Sequence, residues 1–146
     1  MPIARATAGY SGTPLVKKLG IKPGSTLALI GAPDDFDDTL GELPDGVTVR
    51  RRLQGQLDVI VAFYVESSVL ERRLPALRRA LAPAGGLWLA WPKRASGVAT
   101  DLSDNVVREL GLAAGLVDNK VCAIDTMWSG LRLVYRLRDR PAATRA

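Results

Sequence analysis

The chain has no histidine and a single cysteine, Cys122, among its 146 residues. The missing histidine removes the side chain that usually acts as general base near neutral pH, and also the commonest metal ligand. One cysteine without histidine excludes a zinc site of ordinary composition. A lone cysteine cannot close an internal disulfide, which fits a reducing, cytoplasmic setting. Aromatic residues are scarce at 5%, and no apolar run approaches the ~18 residues of a membrane span. Met1-Pro2-Ile3-Ala4-Arg5 lacks the apolar stretch of a secretory signal. Any catalyst would have to be assembled from Asp, Glu, Lys, Arg, Tyr, Ser or Thr.

What is present suits one globular α/β domain over residues 1–146, with a mobile leader at 1–9 and a frayed polar tail at 138–146. Hydrophobic residues make up 47% of the chain, and a domain of this length buries roughly 70% of its unfolded surface. The net charge of +5 is unevenly spread. Residues 50–94 hold nine basic side chains against three acidic ones. An anionic partner would be drawn to this block, although a solvated arginine face explains it as simply.

Strand-like and helix-like pieces alternate. Thr13-Pro14 reads as an N-cap and first helical proline, opening a short helix through Leu19 that Gly20 stops. Strands are expected at Thr26–Ile30, Val47–Arg50, Asp58–Phe63 and Leu87–Trp91. Val59-Ile60-Val61-Ala62-Phe63 shows no polar alternation, as in a parallel strand covered on both faces. Leu70, Leu74, Leu77 and Leu81 share one helical face, with Arg72 and Arg79 opposite. Pro75 is expected to kink that helix or divide it, and Pro83-Ala84-Gly85-Gly86 to end the unit. Ser103 caps a further helix closing near Gly111 or Gly115. Val121–Asp125 and Leu131–Leu137 read as an antiparallel hairpin, the last strand carrying a basic face suited to a sheet edge. About seven residues separate the second and third strands, too few for a helical crossover. Either the second strand is very short or a helix–strand pair is missing.

Leu27-Ala28-Leu29-Ile30-Gly31-Ala32-Pro33-Asp34 resembles the first strand of a cofactor-binding α/β domain, without the G-x-G-x-x-G turn that normally follows. Lys22-Pro23-Gly24-Ser25-Thr26-Leu27 and Leu81-Ala82-Pro83-Ala84-Gly85-Gly86-Leu87-Trp88 resemble segments of the S-adenosylmethionine-dependent methyltransferases. That resemblance implies a three-layer, Rossmann-like, methyltransferase-like α/β fold, with a mostly parallel sheet ending in an antiparallel hairpin. Arg50-Arg51-Arg52 stands where the family has an acid for the ribose hydroxyls, and Phe63-Tyr64-Val65-Glu66 departs from the Asn/Asp-Pro-Pro-Tyr signature. Three longer phrases, Ala8–Leu15, Trp91–Leu102 and Gly115–Asp125, resemble a bacterial family of unassigned activity, domain of unknown function three-zero-five-two. It implies no catalytic residues.

Ligands in open α/β sheets bind beyond the carboxyl ends of the strands. That rule gathers Gly31, Ala32, Pro33 and Asp34, then Tyr64–Ser67, then Pro92–Gly97 on one rim. Lys93, Arg94 and Ser96 offer charge and hydroxyl donors for a phosphate or carboxylate, or form an ordinary solvated loop. Asp34-Asp35-Phe36-Asp37-Asp38 is better explained by a helix start than by a Mg²⁺ site, and no metal is expected. Tyr10-Ser11-Gly12-Thr13 is a turn and cap, or an anion site at a helix start. Trp128 either stacks on a ligand or closes the core, while Trp88, Trp91 and Cys122 read as core. The leading expectation is non-catalytic binding of a small anionic ligand or a protein partner at Gly31–Asp34, Lys93, Arg94 and Ser96. A divergent S-adenosylmethionine-dependent methyltransferase is the alternative. A nucleic-acid module using Arg50–Arg52, Arg72, Arg73, Arg78 and Arg79 ranks last, for want of stacking aromatics. The sequence assigns neither a cofactor, an oligomeric state nor a direction for the second strand, and no membrane partner is expected.

Overall fold

A computed structural model describes residues 13–141. The expected leader, the Tyr10-Ser11-Gly12 turn and tail residues 142–146 lie outside the described residues. The elements run α1 (Leu15–Lys18), β1 (Thr26–Ile30), α2 (Phe36–Leu40), β2 (Thr48–Arg50), β3 (Leu57–Phe63), α3 (Ser67–Ala80) and β4 (Leu81–Pro92). A 3₁₀ turn at Arg94–Ser96 leads to α4 (Asp104–Ala113), β5 (Leu116–Ala123), β6 (Trp128–Tyr135) and a last 3₁₀ turn at Leu137–Asp139. Among the described residues, six strands form one sheet in the order β2-β1-β3-β4-β6-β5. β2, β1, β3 and β4 are mutually parallel, and β6 runs antiparallel to both β4 and β5.

The apolar strands divide their side chains between two layers by simple alternation. Leu27, Leu29, Val59, Val61, Phe63, Trp88 and Ala90 face α1 and α2. Ala28, Ile60, Ala62, Leu87, Leu89 and Trp91 face the other layer, where Leu70, Leu74 and Leu77 of α3 and Val107 of α4 pack. This double covering is why β3 reads as an unbroken apolar run. Trp88 and Trp91 are core residues, as expected, and the Trp88 indole Nε1 donates to the Leu19 carbonyl at 3.0 Å.

Several boundaries differ from the sequence expectation. In α1, Pro14 rather than Thr13 occupies the cap, and its carbonyl accepts from the amides of Lys17 and Lys18. Pro75 does not divide α3, which runs continuously from Ser67 to Ala80. Pro75 and Glu71 both lie on the exposed side, where water can serve the Glu71 carbonyl that the proline leaves without an amide donor. Pro83–Gly86 is no terminator either, since β4 starts at Leu81. Between the pairs Leu57↔Leu81 and Val59↔Gly86, β4 advances five positions while β3 advances two. The bulge absorbs the proline and brings Gly85 so close that a β-carbon there would lie 2.8 Å from the Asp58 carbonyl oxygen. Of the two expected closures of α4, Gly111 lies inside the helix and Gly115, with φ +90°, follows its end.

At the other end of the sheet, β6 is an interior strand and β5 the edge, reversing the expected placement. Leu137 does not extend the buried face of β6; it lies in the final 3₁₀ turn and is 81% exposed. The short second strand is real and parallel to β1. Returning from its three residues requires roughly 10 Å along the strands and 10 Å across them, well within the ~3.3–3.6 Å per residue of an extended linker. The return is therefore non-helical. Its Leu53 packs against the α3-side core, covering part of the layer a crossover helix would have occupied.

Candidate functional site

The carboxyl ends of β1, β3 and β4 share one edge of the sheet, so the rim expected from the sequence exists. At β1, Gly31 has φ +68°, and a β-carbon there would stand 3.2 Å from the Phe63 carbonyl oxygen. Its freedom allows the close approach of β1 to β3 at this turn. Ala32 is half-buried against the α1/α2-side core, Asp34 is exposed, and the Pro33 carbonyl accepts from the Phe36 amide at 3.0 Å. Phe36 then meets Phe63 edge-on at 5.0 Å, and Phe63 meets Trp128 at the same distance. Trp128 thus closes the core. Asp37 is bound by Arg51, whose Nη2 reaches both carboxylate oxygens at 2.9 and 3.1 Å. Among the described residues, no group of three His, Cys, Asp or Glu side chains could hold a metal ion.

At β4 the chain turns away and opens a cleft of about 540 Å³. Lys93 and Arg94 line one side, Ser103 and Asp104 at the head of α4 another, and Trp91 and Leu102 supply apolar wall. The Lys93 amide donates to the Met127 carbonyl at 2.8 Å, which ties the cleft to the β5–β6 turn. Asp125 fixes that turn in its own right, accepting from the amides of Met127 and Trp128 at 2.8 Å each. Ser103 caps α4 as expected, its Oγ accepting from the Val106 amide at 3.3 Å. The first amides of this ten-residue helix carry partial positive charge. Asp104 is the acidic member of the lining, and its Oδ1 accepts from the Asn105 amide.

Ser96 takes a different role from the one expected. Its Oγ donates to the Lys93 carbonyl at 2.7 Å and accepts from the Val98 amide at 3.1 Å. Both bonds shape the loop, and Ser96 does not line the cleft. Nor do Gly31, Ala32, Pro33 and Asp34, which stand across β3 from it. The structure therefore brings Lys93 and Arg94 together and leaves the remaining candidates apart.

The rest of the loop is fastened over the head of α3. Thr100 Oγ1 donates to the Val65 carbonyl at 2.6 Å. Asp101 accepts from the Ser67 amide at 2.8 Å and the Ser67 hydroxyl at 2.6 Å. These hydrogen bonds hold the Asp101 carboxyl below the usual Asp range. The middle segment of the rim is thereby satisfied by the chain itself. Beside it, burial pushes the Tyr64 hydroxyl up in pKa, with the nearby Arg73 opposing the shift. Arg51 and Arg78 are also committed within the fold, the first to Asp37 and the second over the Tyr135 ring at 5.3 Å. Thr100, Asp101 and Asp104 were not singled out by sequence, because only the fold reveals their positions.

No family model matches the chain, and no curated protein matches it in sequence. Solved structures do match. A S-adenosylmethionine-dependent methyltransferase from Aquifex aeolicus superposes with a TM-score of 0.60 at 15% identity, covering 82% of this chain and 86% of its own. A ribosomal protein L11 methylase from Lactobacillus delbrueckii subsp. bulgaricus gives 0.53 at 14% identity, covering 84% and 75%. The magnesium protoporphyrin IX methyltransferase of Synechocystis PCC 6803, with bound S-adenosylmethionine, gives 0.54 at 11% identity, covering 84% and 74%. The fold is methyltransferase-like. The methyltransferase-like rim nevertheless does not fit the cofactor in the way the resemblance implies. Arg50 ends β2 and Arg51 follows it, where the resemblance implies an acceptor for the ribose hydroxyls; Arg51 pairs there with Asp37 on the surface. The Ser67 donors are taken by Asp101.

Proposed function

We propose that this chain is a ligand-binding domain on a methyltransferase-like scaffold, taking a small anionic ligand in the cleft between the end of β4 and the head of α4. The observation that carries this reading is the convergence of Lys93, Arg94 and the first turn of α4 on one cleft of about 540 Å³. That size suits a small organic ligand, and two cations with a helix N-terminus favour a carboxylate or phosphate group. Asp104, at the same helix head, would select against ligands carrying negative charge on that side. A protein partner presenting a carboxylate would use the same groups. A cytoplasmic location belongs to this reading, supported by the unpaired Cys122.

Titration of the full chain with phosphate, citrate and S-adenosylmethionine, followed by thermal unfolding, tests this reading. A saturable rise in melting temperature with an anion, reduced in Lys93→Gln, is expected. The absence of any anion-dependent rise would overturn it.

A second reading is S-adenosylmethionine-dependent methyl transfer, favoured by the structural neighbours over a role without catalysis. Its supporting observation is the shared fold. The basic end of β2 and the Ser67 donors already taken by Asp101 argue against the usual cofactor placement. At 100 times its dissociation constant the cofactor would stabilise the chain by about 2.7 kcal/mol. No shift at millimolar S-adenosylmethionine would end this reading.

A further inference from the structure

The opposite edge of the sheet, at the amino ends of the parallel strands, holds a second cleft of about 470 Å³ that neither reading uses. Lys17 and Lys18 of α1, Lys22 of the following turn, Lys120 of β5 and Arg132 of β6 line it, with Asp58 as the acidic member. These cations come from both ends of the chain and lie outside the basic 50–94 block.

Three observations separate this cluster from an ordinary solvated surface. Lys120 and Arg132 are directly paired across β5 and β6, a like-charge pairing that disfavours the empty sheet. Arg132 is partly buried, and desolvation lowers its pKa. No hydrogen bond or ion pair serves its guanidinium among the described residues. Gly86, diagonal to it on β4, leaves that guanidinium its space: a β-carbon there would collide with Arg132 Nε. Asp58, whose Oδ2 accepts from the Thr26 amide at 2.8 Å, offsets one charge of the cluster and leaves it strongly cationic.

We infer that this cleft binds a compact, multiply charged phosphate compound, with Arg132 as its central anchor and Lys17, Lys22 and Lys120 around it. A planar guanidinium seated over a glycine presents its donors to two phosphate oxygens at once. The surrounding ammonium groups suit further charge on the same ligand, and Val59 and Ala84 add apolar lining. This site is independent of Lys93 and Arg94, which lie at the other edge of the sheet.

Calorimetric titration of the full chain carrying Lys93→Gln/Arg94→Gln, which silences the other cleft, with inorganic tripolyphosphate at low ionic strength tests the inference. One saturable equivalent is expected. Arg132→Gln weakens binding by about tenfold or more, as loss of a charged hydrogen-bond donor does. Arg72→Gln, an equal charge change on the exposed side of α3, leaves it within about twofold, as expected of a surface charge remote from the ligand. Should Arg132→Gln fail to fold, the double variant Lys22→Gln/Lys120→Gln replaces it, with the same loss expected. No saturable binding, equal loss in Arg72→Gln, or unchanged binding in the cleft variants would overturn the site. So would a polynucleotide whose affinity per site exceeds that of tripolyphosphate and grows with its length, since that would make the surface a nucleic-acid track.

Discussion

Asp101 accepts two hydrogen bonds from Ser67, at 2.8 Å from the amide and 2.6 Å from the hydroxyl. Thirty-four residues apart, the two fasten the loop after β4 to the head of α3. The loop that carries Lys93 and Arg94 is thus held from both ends, by the Lys93 amide on Met127 and by Asp101 on Ser67. A binding loop fixed in this way needs little ordering when a ligand arrives.

The same contact predicts a pH dependence. The folded-state pKa of Asp101 is lowered, chiefly by the Ser67 hydroxyl. Its contribution is therefore fully present above the ordinary Asp value of about 3.9 and is lost as pH falls through the lower folded value. Asp101→Asn should melt below the parent at neutral pH and show a shallower decline in acid. Melting temperatures from pH 7 down to pH 2 check this, and parallel profiles would contradict it.

Gly31→Ala places a β-carbon at φ +68° and 3.2 Å from a backbone oxygen in the parallel sheet. Neither strand can yield easily, so a loss of about 1–3 kcal/mol is expected. Urea unfolding measures it. A neutral result would show that β1 and β3 can part at this turn.

Gly111→Ala sets two effects against each other. Alanine gains about 1 kcal/mol over glycine in a helix interior. A β-carbon there would stand 2.7 Å from the Leu133 side chain, which is fully buried and cannot swing aside. Overpacking costs about 1–3 kcal/mol, so the substitution should destabilise on balance. Chemical denaturation decides the sign.

Trp88→Phe removes the donor to the Leu19 carbonyl, a buried bond that anchors the end of α1. Stranding that carbonyl should cost about 1–3 kcal/mol. Equilibrium unfolding together with faster amide exchange around Leu19 and Gly20 would report it.

β1 was legible residue for residue, because a bounded apolar run between turn residues carries its own ends. β3 and the Ser103 cap were nearly so. The long β4 was not, because Pro83-Ala84-Gly85-Gly86 has the composition of a turn and only its pairing with Leu57 and Val59 makes it a bulge. The order of β6 and β5 was hidden for a similar reason: alternation reports which face is buried, not which neighbour supplies the pairing. At the rim, strand polarity alone placed Lys93 and Arg94 beyond the carboxyl end of β4, where the cleft lies. Ser96 was assigned a ligand role because a loop serine reads the same whether its hydroxyl faces a ligand or its own backbone. The cluster around Arg132 escaped because its members are spread from residue 17 to residue 132 and share only a fold.

The placement of ligand in the β4–α4 cleft is tested most directly by thermal unfolding in an Arg132→Gln background, which silences the opposite cleft. The Arg132→Gln parent is set beside the same chain with Lys93→Gln/Arg94→Gln added, with phosphate and citrate titrated to millimolar concentrations. The account predicts a saturable, anion-dependent rise in the melting temperature of the parent that is lost when Lys93→Gln/Arg94→Gln is added. An equal rise in both proteins, or none in the parent, would contradict it.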